Sequence, residues 1–220
     1  MSATRFRLGL GGSAALASVA LLLLTAVATH QLTRGFQYWT FEAARRSDAL
    51  QQRLLASGLV VRTAQGQHLG LWSPATAPHA KAYLVDFIYT ACPSVCQALG
   101  SEFAQMQRYL LDAGPSDANV ILRSLSFDLQ RDGTTELAQY AQRHGADGTH
   151  WQVAAPLSAA DNRRLLQELS VIAVPDGQGG YVHNGAIHLL DGSGRVQAIF
   201  DTTQWPQALA AATRWVQAGR

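Results

Sequence analysis

The chain has 220 residues, 48% of them hydrophobic and 15% charged, which fits one globular domain with additional segments better than two full domains. Its net charge of +2 comes from 16 Arg and one Lys scattered along the sequence with no block of like charge. That dispersal argues against nucleic acid as a partner.

Arg5 and Arg7 precede the charge-free stretch 8–29, with the run Val19-Ala20-Leu21-Leu22-Leu23-Leu24, long enough at about 1.5 Å per residue to span a bilayer core. Basic residues before the stretch and a long domain after it predict a cytoplasmic amino end and an exported remainder. A cleaved signal peptide is the competing reading. Ala26-Val27-Ala28 matches an A-x-A cleavage site, and Gly9, Gly11 and Gly12 weaken the first half of the span. Either way the domain is exported. The predicted organisation is an anchor or signal peptide at 1–30, a membrane-proximal helical linker at 31–58 and an α/β domain at 59–220.

A polar-faced helix is predicted over 41–56, ending at Ser57-Gly58. Short strands follow at 59–62 and 68–72, then a loop at 73–80 holding Pro74 and Pro78. A strong buried strand covers 82–89 (AYLVDFIY). Cys92-Pro93-Ser94-Val95-Cys96 then opens a long helix reaching about Leu111, whose first turn suits Pro93. Beyond it come a strand at 119–127, a helix at 134–143, a short strand at 151–154 and a helix at 158–169 that Ser158 can cap. Strands near 181–190 and 195–200, turned by Asp191-Gly192-Ser193-Gly194, and a helix at 204–218 complete the chain. This order describes an α/β sheet covered on both faces, with parallel pairing at the crossovers.

The only two cysteines, Cys92 and Cys96, lie where a central strand meets a helix. Unpaired amide hydrogens and partial positive charge at a helix start stabilise a thiolate, making it a nucleophile or a metal ligand. A disulfide between positions four apart closes too short a loop to add much stability. Two thiolates at that spacing instead offer soft ligands that select Cu(I), and leave a metal under-coordinated. Of seven histidines, His30 lies at the membrane edge, His68 and His79 in turn-rich segments, and His144 and His150 beside Gly145 and Gly148. His183 and His188 share the late hairpin. On one regular strand their odd separation puts them on opposite faces, so at most one points at the cysteines. His183, before the turn-prone Asn184-Gly185, is a candidate, with a solvated edge histidine as the alternative.

The stretch Phe87-Ile88-Tyr89-Thr90-Ala91-Cys92-Pro93-Ser94-Val95-Cys96 resembles the F-x-Y-T-x-C-P-x-x-C signature of the Sco (SenC-type) proteins, thioredoxin-fold copper chaperones of cytochrome c oxidase assembly. Ser124-Leu125-Ser126-Phe127-Asp128-Leu129-Gln130-Arg131-Asp132 is similar to that family's S-x-D-P-x-R-D segment. His183, with Gly194 eleven residues on, is similar to its metal-binding histidine and following turn. The resemblance runs from about Leu59 to Ala218. It implies a thioredoxin-like fold, a central mixed sheet flanked by helices, and copper, Cu(I) or Cu(II), held by Cys92, Cys96 and His183. Further implications are delivery to the copper-bearing subunit of a cytochrome c oxidase and residence in a bacterial inner membrane, single-pass, with the domain on the periplasmic side. Phe36, Tyr38 and Trp39 would suit the headgroup level. The sequence departs from the family pattern at Gln97, Leu129, Gly133 and Val182, all around the site and none at its ligands.

Leu84-Val85-Asp86-Phe87 resembles the L-V-D-F strand of thioredoxins, whose buried aspartate aids proton transfer at the second cysteine. Asp86 can act so, or simply bond a neighbouring strand end or serine. Asp128 is expected beside the site, either orienting ligands or partners or serving as a routine loop residue. Arg131 and Asp132 are expected to pair with each other or lie at the surface. Two functions follow: a metallochaperone without turnover, or a thiol-disulfide oxidoreductase working through Cys92 and Cys96. A peroxiredoxin-type activity is weaker, because Thr90 lacks the Pro expected three residues earlier.

Overall fold

The computed structural model describes residues 10–72, 82–92, 95–113 and 119–219. The basic residues Arg5 and Arg7, the loop at 73–80 and the helix-starting role of Pro93 lie outside the described residues. The contacts divide the chain into Met1–Arg45 and Arg46–Arg220.

The first unit holds helix α1 (Leu10–Leu32), of which Gly12–Leu32 is long and apolar enough to cross a membrane. Leu21 to Leu24, which point to all sides of the helix, are exposed, as in a helix that is apolar all round. The hydroxyls of Thr25, Thr29 and Thr33 bond back to the carbonyls four residues earlier, which satisfies polar groups in an apolar segment. Helix α2 (Phe41–Leu50) carries the division between the units. It stops six residues short of the predicted 41–56. Gln52 takes a left-handed φ of 56°, and Leu55 forms a bridge with Arg195, a sheet contact that a helix would forbid.

The second unit is a seven-stranded mixed sheet in the order β2-β1-β5-β4-β3-β8-β9. Its strands are β1 (Val60–Thr63), β2 (His68–Gly70), β3 (Ala82–Ile88), β4 (Val120–Ser126), β5 (Trp151–Pro156), β8 (Ile187–Asp191) and β9 (Val196–Phe200). β3, β4 and β5 run parallel, connected by α3 (Val95–Ala113) and α4 (Thr134–His144), while β1, β2, β8 and β9 pair antiparallel. Every residue of β3 is buried, as expected of a central strand covered on both faces. α5 (Ala159–Glu168) packs on β5, and α6 (Trp205–Ala218) packs on β3, β8 and α3. Ser158 caps α5 as predicted, accepting the Asp161 N–H at 3.1 Å.

One prediction fails in this region. The single strand expected over 181–190 is two strands, β7 (Tyr181–His183) and β8, separated by Asn184–Ala186. β7 pairs with the unpredicted β6 (Ala173–Pro175) in a separate two-stranded sheet. Asn184 makes the break: its side-chain carbonyl accepts the Ile172 N–H at 2.7 Å and its amide donates to the Ser170 carbonyl at 3.1 Å. A side chain satisfying backbone groups in this way competes with the strand ladder.

Candidate metal centre

Parallel pairing sets Ile88 against Ser126, so the chain leaving β3 runs beside the chain leaving β4. Asp132, fully buried, sits between them. Its carboxylate accepts the Thr90 N–H at 2.9 Å, the Thr90 hydroxyl at 2.7 Å and the Ser126 hydroxyl at 2.5 Å. A buried carboxylate satisfied this completely pins the loop that leads into Cys92. Of the two alternatives for Arg131 and Asp132, mutual pairing is not found: Asp132 turns inward, whereas Arg131 lies at the surface and pairs with Asp128. The sequence signal for this contact is Ser126, a hydroxyl at the buried end of β4 that needs a partner inside and finds it in Asp132.

At the start of α3, the Cys92 sulfur accepts the Cys96 N–H at 3.3 Å. The Gln97 side chain donates to the Cys92 carbonyl at 3.3 Å, and the Tyr140 hydroxyl to the Cys96 carbonyl at 3.1 Å. Gln97, which departs from the family pattern, thus braces the turn. The two cysteines carry no disulfide and are 4% and 0% exposed. Burial, reinforced by the neighbouring Cys92, raises the Cys96 thiol far above its ordinary pKa. A cation drawing both sulfurs into thiolate form would release protons on binding.

His183 comes from β7 and sets its Nε2 3.8 Å from the Cys96 sulfur. Its ring meets Phe127 and Tyr89 edge-on, with centroids 5.4 and 6.2 Å away. Burial lowers its pKa, which favours the neutral imidazole that can bind a metal. Its Nδ1 is buried without a hydrogen-bond partner among the described residues. Ligand atoms of Cys92, Cys96 and His183 all lie within 4.8 Å of one another. Two sulfurs and a neutral imidazole converging there fit a soft metal ion.

The other histidines are placed elsewhere. His188 is buried on β8 opposite Val85, its ring 5.6 Å from Phe87. The His144 ring meets Tyr140 at a tilt, with centroids 4.5 Å apart, and His150 bonds Asp147 at 2.7 Å. His79 lies outside the described residues.

Asp86 is completely buried on β3 opposite Ser124. Neither carboxylate oxygen closes a hydrogen bond of good geometry. Desolvation lifts its pKa to about 7, an effect the Ser124 hydroxyl offsets in part. Asp128, 2% exposed, accepts from Arg131 and, at 3.3 Å, from the Tyr181 hydroxyl. A cleft of about 410 Å³ opens beside the site between Tyr89, Ala91 and the loop Asp176–Tyr181. A Cβ at Gly180 would come within 2.6 Å of Asp176 Oδ2 and 3.1 Å of Tyr89 Oη, so glycine there permits the close approach of loop and Tyr89.

A model of the SCO1/SenC family matches residues 68–218, well over half of the chain. The chain belongs to the SCO1/SenC family. A Sco relative, the SCO1 protein homolog of Bacillus subtilis, is 23% identical over 118 residues, covering 53% of this chain. The match spans 60% of that relative's length, less than two thirds of it. Among solved Sco structures, Bradyrhizobium japonicum ScoI with copper bound aligns at TM-score 0.58 and 22% identity, covering 73% of this chain and 99% of that one. BsSco, described as a member of the Sco family of cytochrome c oxidase assembly proteins and carrying a disulfide switch, aligns at TM-score 0.62 and 15% identity, covering 74% and 94%. At such identities these likenesses show the fold, the thioredoxin-like arrangement of a central mixed sheet flanked by helices that the sequence predicts. Two family departures now have places in it: Leu129 packs against the core, and Val182 is 69% exposed.

Proposed function

We propose that this chain binds copper through Cys92, Cys96 and His183 and delivers it to the copper-bearing subunit of a respiratory cytochrome c oxidase. The convergence of two sulfurs and an imidazole from positions 87 residues apart carries the reading. The relatives support it, since one is solved with copper bound and another is described as an oxidase assembly protein. Copper is the cargo, and the protein contributes its ligands. The helix start offers an N–H to the Cys92 sulfur, the Asp132 network fixes the loop, and Tyr89 and Phe127 orient the His183 ring. Tethering by α1 to the outer face of a bacterial inner membrane would confine the search for a membrane-bound client to two dimensions.

Anaerobic titration of the reduced full-length chain in detergent should give one tightly bound Cu(I) per protein, with both thiols protected from alkylation. His183→Ala should lose stoichiometric binding. Equal copper retention by variant and parent would eliminate the three-ligand site.

A second reading is favoured by one observation, the buried Asp86 with its pKa near 7. In it Cys92 thiolate attacks a client disulfide, forming a mixed disulfide and releasing one client thiolate. Cys96, deprotonated with Asp86 as proton acceptor, then closes the Cys92–Cys96 disulfide and frees the second client thiolate, so that two electrons pass to the client. His183→Ala would leave that reaction nearly intact, which separates the two readings.

A further inference from the structure

The copper ligands are buried: Cys96 is 0% and Cys92 4% exposed. A metal held there reaches another protein's ligands only after something moves. The third ligand sits outside the main sheet, because β6 and β7 pair with each other and not with the seven-stranded sheet. The loop that joins them has Gly177 and Gly179 at positive φ.

Side chains tie this hairpin to the end of β4. The Tyr181 hydroxyl, two residues from His183, donates to Asp128 Oδ1 at 3.3 Å. Arg131 donates to the other Asp128 oxygen and to the Gly179 carbonyl, and its guanidinium lies over the Tyr181 ring at 5.6 Å. The Tyr181 ring also meets Tyr89 and Phe127, each at 5.2 Å, the two rings that flank His183. Asp128 is buried while the Arg131 side chain is 40% exposed, so one end of this cluster is anchored inside and the other is open to solvent.

Given the copper site proposed above, we propose that Tyr181, Asp128 and Arg131 are positioning residues that latch the β6–β7 hairpin shut and thereby set how fast His183 lets copper go. None of the three touches the metal position; each acts through His183. Opening the latch swings the imidazole away and leaves copper on two thiolates that an incoming client ligand can reach through the cleft beside Tyr89.

The test uses the full-length chain in detergent, loaded with one equivalent of Cu(I) and mixed with excess bicinchoninate, whose copper complex reports release. Tyr181→Phe should release copper about three- to tenfold faster than the parent, as expected for loss of one hydrogen bond, and Arg131→Gln, which removes two, at least as fast, with Arg131→Lys falling between Arg131→Gln and the parent. Parent-like release would overturn the latch. Amide exchange supplies a readout independent of copper. In metal-free protein the latch variants should speed exchange at 181–184 and leave β3 unchanged, and unchanged exchange at 181–184 would overturn the proposal. A parent that takes up no copper would instead refute the copper reading, with the latch still judged by exchange.

Discussion

Asp86 and Asp132 are both wholly buried carboxylates, six residues before Cys92 and at the turn after β4, and their surroundings give them opposite roles. Asp132 is saturated with donors. Its replacement by Ala would strand the Thr90 N–H and two hydroxyls, which should lower stability by about 2–4 kcal/mol. Urea unfolding measures that loss, and faster alkylation of Cys92 would show that the loop has loosened. Asp86 lacks such partners, and its folded pKa of about 7 lies above the unfolded value of about 3.9. Between those values the folded state holds a proton that the unfolded chain does not. Its contribution to stability is therefore complete below about pH 4 and lost as pH rises to about 7. Asp86→Asn should remove this slope and leave the metal-free protein about 2–4 kcal/mol more stable than the parent at pH 8. Parallel urea midpoints for both proteins across pH 4–8 would exclude this account.

Among elements, the strands and helices with strong local signals appear close to where their residues predict them. The stretch 82–89, apolar but for Asp86 and Tyr hydroxyls, supplies the buried strand β3, the capped helix begins after Ser158, and the Asp191–Gly194 turn joins β8 to β9. Gly194 combines a φ of +86° with a site where a Cβ would lie 2.5 Å from the Ala56 carbonyl and 2.7 Å from the Trp72 ring. Gly194→Ala should therefore destabilise by about 2 kcal/mol or more, read as a lowered thermal midpoint. An unchanged midpoint would mean the turn relaxes freely. The β6–β7 hairpin was illegible for the same kind of reason in reverse. Its strands are three residues each, Val174 and Val182 face solvent, and their pairing depends on Asn184 reaching backbone groups on Ser170 and Ile172. Periodicity has no purchase on so short an element.

For the whole molecule, an exposed apolar helix and a compact α/β unit imply different solvents. The full chain should stay with the membrane pellet after alkaline carbonate extraction, and a chain beginning at Thr40 should be soluble. Recovery of a soluble mature form starting just after Ala28 would replace the anchor by a cleaved signal peptide. Reporter fusions at the carboxyl end should be active only outside the cytoplasm, in keeping with Arg5 and Arg7 before the span.

The amino-acid sequence by itself determined the order of the main-sheet elements, the apolar span and the placement of Cys92 and Cys96 at a strand-to-helix junction. Each of these depends on neighbouring residues: apolar runs, caps, turn residues and a four-residue spacing. Residue spacing made His183 a candidate, and resemblance to the Sco proteins strengthened it. Only the tertiary structure decided that its imidazole stands 3.8 Å from the Cys96 sulfur, while His188 is turned toward Phe87. It also decided that Asp132 braces the cysteine loop, and that Arg131 and Tyr181 share Asp128. These are contacts between segments tens of residues apart, created by parallel β3–β4 register and by a hairpin outside the sheet. Local chain propensities do not encode such distances.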